Sequence, residues 1–174
     1  HTPLARQGDT MKYTSAAAGK RIKALEEEKE LVLSREAELC TYVRAVGEEM
    51  DAPAYDFLAT RDEVTRIDAE VLRIRHALHR FNLETVLPDS KITIDEALVL
   101  MAQLGKEKQL LKDMRARLPR KRVDANWTGS ASIEYEYANY DIKQAEERYA
   151  AVAQRISDLQ MEIDYANQTV QFKV

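Results

Sequence analysis

The stretch "HALH" puts His76 and His79 three residues apart, which on a helix makes them neighbours on one surface. Two imidazoles can begin a metal site, but zinc-type sites take a third or fourth ligand. The Glu-x-x-His pairs that build di-iron bundles occur nowhere in the chain. His76 and His79 flank the apolar Leu78, so a partly exposed pair outweighs a metal centre, and no cofactor is expected. Lys29 and Lys108 form a second candidate, because each follows a Glu and precedes a Leu by two residues. Set symmetrically, they could bind an anion inside a bundle; the plainer reading has their stems lining an apolar seam while the ammonium groups reach out, Lys29 toward Glu36.

The third candidate is "MRARLPRKRV", with Arg115, Arg117, Arg120, Lys121 and Arg122 in a span of eight. Such a run could grip nucleic acid or an acidic partner. Arg115 and Arg117 also suit a helix C-terminus, where cations oppose the macrodipole. The neighbouring Tyr135, Tyr137 and Tyr140 sit among Glu134, Glu136 and Asp141, which repel phosphate, so internal ion pairs are favoured over nucleic acid. Trp127, in "DANWTGSAS", is a large aromatic in a loop and a candidate contact residue. Gly-rich phosphate loops, nucleophile elbows and HExxH are absent, and no enzymatic activity is expected.

These residues are positioned by a chain of 174 residues, 32% of them charged, with few Gly or Pro. That is the composition of long amphipathic helices. A net charge of −4 argues against a general polyanion binder. Cys40 is the single cysteine, which rules out an internal disulfide and suits a reducing cytoplasm. With no long apolar run, the expectation is a cytoplasmic protein without membrane segments. Residues 1–10 precede Met11 and are read as upstream or expression-derived; residues 11–174 are read as one helical domain.

Apolar positions recur at spacings of three and four. One seam is Phe57, Thr60, Val64, Ile67, Val71, Ile74, Leu78 and Phe81, and another is Ile142, Ala145, Tyr149, Val152, Ile156, Leu159, Ile163 and Ala166. The seam from Ile22 to Val46 carries Lys29 and Glu36, and that from Ala97 to Leu118 carries Lys108 and Arg115. Heptad seams predict helices packed at shallow angles. Thr93 with Glu96 forms a capping box, Asp56 and Asp141 can cap helices, and Pro119 forces a stop. The predicted helices are 15–46, 55–82, 93–118 and 141–167.

Shifted by 79 positions, residues 12–32 share seven identities in 21 with their counterparts, including Lys12, Thr14, Leu25 and Lys29 against Lys91, Thr93, Leu104 and Lys108. Shifted by 85, Tyr55-Asp56 meets Tyr140-Asp141 and Asn82 meets Asn167, after which Thr85-Val86 answers Thr169-Val170. The reading is a duplicated helical hairpin, with halves at about 12–86 and 91–170. It predicts an all-α, antiparallel, coiled-coil-like four-helix bundle. Asn at each exit is expected to close its helix in the left-handed conformation, with the two Thr-Val segments pairing as a small β feature.

"FNLETVLPDSKITIDEAL", "IEYEYANYDI" and the terminal "NQTVQF" resemble an uncharacterised bacterial family of short all-helical proteins, some labelled septicolysin. The resemblance covers residues 11–174 and implies a helical fold without an assigned activity. Pore formation would require membrane-inserting segments, and here the apolar stripes belong to a core.

The leading expectation is a self-associating structural or interaction bundle, a homodimer or larger, presenting loops to a protein partner, with Tyr42, Met50 and Trp127 as contact candidates. A small-molecule, anion or metal-binding bundle is the alternative, and nucleic-acid binding through residues 115–122 ranks third.

Overall fold

The computed structural model describes residues 11–124 and 132–174. Contacts divide the chain into two compact units: one ends at Thr85 and takes back Tyr165–Val174, and the other is Val86–Asp164. Among the described residues the architecture is mainly helical, with helices α1 (Ser15–Leu39), α2 (Phe57–Glu84), α3 (Ile94–Arg115) and α4 (Ile142–Thr169). The strands are short: β1 (Lys12–Thr14), β2 (Arg120–Arg122), β3 (Tyr135–Tyr137) and β4 (Gln171–Lys173).

In the first unit α1 and α2 pack together over Ala18, Ile22, Leu25, Ile67 and Ile74. Leu25 and Ile67 are entirely buried, as their seam spacing predicts. β1 pairs antiparallel with β4, Tyr13 opposite Phe172, and Phe172 stacks on Phe81 of α2 with ring centroids 4.8 Å apart. The β-forming residues of "KYT" and "QFK" thereby close the end of the hairpin.

In the second unit the buried residues are Leu87, Ile94, Ala97 and Leu111, then Ala145, Val152, Leu159 and Ile163 on α4. Arg148 of α4 reaches Glu107 of α3 at 2.7 Å, so the two helices lie side by side. β2 and β3 form an antiparallel ribbon with Lys121 opposite Glu136.

Helix starts follow their capping residues. Thr14 accepts from the Ala17 amide at 3.2 Å, Asp56 from Ala59 at 3.0 Å, and Asp141 from Lys143 at 2.8 Å. At α3 the capping box is complete: Thr93 Oγ1 accepts from the Glu96 amide, and Glu96 accepts from the Thr93 amide at 2.7 Å. Thr93→Ala should therefore lower the unfolding free energy by about 0.5–2 kcal/mol, with Thr93→Ser losing little. Urea denaturation of the two variants measures the difference.

Three expectations about helix ends are corrected. α1 stops at Leu39 rather than 46, leaving Val43 and Val46 almost wholly exposed. The reason is its partner: Glu36 already meets Tyr55 and Arg61 at the start of α2, so a longer α1 would have nothing to pack on. α3 stops at Arg115 rather than 118, and Leu118 is exposed. The Ala116 and Arg117 amides tighten onto Asp113 and Met114 carbonyls, and the Tyr140 hydroxyl takes Met114 O at 2.5 Å.

The third correction concerns the exits. Asn82 and Asn167 are helical, and neither has the left-handed conformation; among described non-glycine residues only Lys91 does, at φ 60°. The Thr85 and Val170 amides still bond to the Phe81 and Ala166 carbonyls, and the chain then leaves extended. Nor does either Thr-Val segment pair with the other. Val86 bridges to Thr93, and residues 171–173 pair with 12–14, so each exit is stitched to a helix start.

Candidate functional site

Charges line the contact between α1 and α2. Arg21 meets Glu70 at 2.7 Å, Lys29 meets Asp68 at 2.7 Å, Arg66 meets Glu28 at 2.8 Å, and Arg75 pairs with Glu26. Each pair joins a residue of α1 to one of α2. Exposed pairs of this kind contribute about 0–1 kcal/mol each, so they set register more than stability. Lys29 is a partly buried seam residue held by Asp68 and not, as the sequence suggested, by Glu36. The flanking acids were missed because seam analysis looks only at apolar positions; their opposite signs beside the seam were the available signal.

Glu36 instead accepts from the Tyr55 hydroxyl at 2.6 Å and pairs with Arg61. Arg61 Nε is a buried donor without a hydrogen-bond partner. The hydrogen bond to Glu36 pushes the Tyr55 phenol from 10.0 up to about 12. Spectrophotometric titration should show one tyrosine ionising late, and Glu36→Gln should return it toward the ordinary range. A titration unchanged by Glu36→Gln would remove the assigned cause.

In the second unit, Lys108 and Arg115 both face the Tyr149 ring, with Lys108 Nζ 5.8 Å and the Arg115 guanidinium 3.8 Å from its centroid. Cations over an aromatic face gain from its quadrupole. The basic run is partly answered locally: Arg120 lies 4.8 Å over Tyr135, Arg117 is 3.9 Å from Glu136, and Lys121 stands opposite Glu136. Arg122 is exposed, opposite Tyr135. The acidic partner, Glu136, is one of the three acids the sequence places beside the run.

A carboxylate that sequence reasoning missed is Glu162. It accepts from the Asp89 amide at 2.9 Å, the Ser90 amide at 3.1 Å and the Ser90 hydroxyl, and so anchors the turn between Leu87 and Ile92 to α4. Burial pushes its carboxyl up, but these donors, with Arg155 nearby, hold it below the ordinary range. "PDSK" signals a turn, yet nothing local names an acceptor over seventy residues away.

His76 and His79 are both exposed, and among the described residues no group of three His, Cys, Asp or Glu is set to hold a metal. Cys40, Tyr42 and Met50 are exposed; Trp127 lies outside the described residues. Among the described residues no helix is long and apolar enough to cross a membrane.

A solved structure described as a functionally unknown conserved protein from Corynebacterium diphtheriae resembles this chain with a TM-score of 0.58. The match covers 93% of this chain and 99% of that one at 16% identity, a likeness that speaks for the fold alone. No family model matches the chain, and no curated protein does.

Proposed function

We propose that this chain is a self-associating structural or interaction protein, a helical bundle made from a duplicated hairpin and working in the cytoplasm with a protein partner. The observation that carries the reading is exposed apolar surface on the helices. Leu31, Leu58, Leu72, Leu83, Leu110 and Met161 are each 60% or more exposed, and among the described residues more large apolar side chains are exposed than buried. Scattered exposed leucines are ordinary, but faces of this kind mark contact surfaces.

Duplication is supported by the matched helix starts on Thr14 and Thr93, each paired with the segment just after a helix: Gln171 after α4 and Val86 after α2. The family likeness to proteins labelled septicolysin rests on the residue motifs alone. The functionally unknown neighbour adds a bacterial relative in fold and no activity.

The expected assembly is a homodimer or larger, burying more than about 1,000 Å² in total. Light scattering at micromolar concentration should give at least twice the 19.9 kDa chain mass. A monomer mass at every concentration would overturn the reading.

A further inference from the structure

On α2 the core seam is not the only heptad series. Leu58, Asp62, Thr65, Ala69, Leu72, His76, His79 and Leu83 follow spacings of four and three along the side of the helix away from Ile67, Ile74 and Phe81. All eight are exposed, with Leu58 at 70%, Leu72 at 71% and Leu83 at 60%. Asp62 is the only acid in the series, and neither it nor His76 nor His79 makes a hydrogen bond or ion pair among the described residues. The three leucines are not demanded by the fold: the positions 85 residues on, in α4, are Lys143, Ser157 and Gln168.

We propose that this outward series is a self-pairing seam, on which α2 of a second copy lies antiparallel in a single register. The inference rests on the self-association reading and names its surface. Antiparallel helices stack in layers whose residue numbers share a constant sum. With a sum of 141 the series closes on itself: Leu58 faces Leu83 of the second copy, Asp62 faces its His79, Thr65 its His76, and Ala69 its Leu72. Small residues meet large ones, apolar meets apolar at both ends, and the acid meets an imidazole.

A parallel pairing sets Asp62 against Asp62, and that like-charge contact is absent from the antiparallel arrangement. On one flank Asp68, already paired with Lys29, comes opposite Arg75 of the copy, itself paired with Glu26. On the other Arg66 meets Arg73, and Arg66 is already held by Glu28 and Glu63. The seam also gives the two histidines a role that needs no metal, and moves the contact from Tyr42 and Met50 to α2.

The test begins with light scattering of the full chain and of Leu72→Glu. Because Leu72 is exposed, the variant should keep its far-UV circular dichroism while its dimer dissociation constant rises by about 30-fold or more, as at a buried hot spot. Asp62→Lys should weaken the dimer, and adding His79→Glu should restore it. A spin label at residue 58, with Cys40→Ser, should give about 38 Å between copies, from 25 residues at 1.5 Å each. A label distance near 10 Å would overturn the register. A dimer indifferent to Leu72→Glu would overturn the surface while leaving self-association standing, and a monomeric parent would remove both.

Discussion

Leu159→Ala should destabilise the protein by about 2–5 kcal/mol. Leu159 has no exposed surface, and on α4 it sits in the seam between Val152 and Ile163, both nearly buried. Truncation removes three carbons from water-free surroundings and leaves a cavity that rigid helices close only in part. Leu110→Ala on α3 is the matched control: that side chain is 61% exposed, and its loss should change stability by less than about 0.5 kcal/mol. Urea unfolding of both variants separates burial from residue type. Equal stabilities for the two would mean that α4 does not carry its seam into the core.

Glu162→Ala should lose about 1–3 kcal/mol, because two amides and a hydroxyl of the Leu87–Ile92 turn share one charged acceptor. Part of that loss is tempered by water reaching the half-exposed site. The amides of Asp89 and Ser90 should exchange faster in the variant, and a uniform change across the chain would argue against a local anchor. The same carboxylate makes stability pH-dependent with a definite sign. Its folded value lies below the ordinary range, so the contribution is complete above the unfolded carboxylate value and disappears as pH falls through the folded one. Glu162→Gln should flatten that acid limb of the stability profile.

The seams of α2 and α4 are legible in the sequence alone. All eight α4 seam positions are buried or partly buried, and of the α2 set only Phe57 is exposed. The caps at Thr93, Asp56 and Asp141 were equally plain, since a cap is a contact between residues three or fewer apart. The charged seam positions were found too, but not their partners. Lys29 was offered Glu36 on its own helix, whereas an antiparallel neighbour brings Asp68 closer.

What the sequence determined by itself is therefore what acts locally: period and capping, both set by backbone geometry within a few residues. Tertiary structure decided the rest. α1 ends where α2 begins to offer it a surface, because helix propensity over "TYVRAV" is too weak to persist unpacked. The exits leave extended because other chain segments pair with them, Thr14 from far away in the sequence for Gln171 and Thr93 across a short turn for Val86. Glu162 binds its turn for the same reason: a carboxylate's acceptor capacity is visible in the sequence, but the donors that fill it are chosen only when the chain is folded.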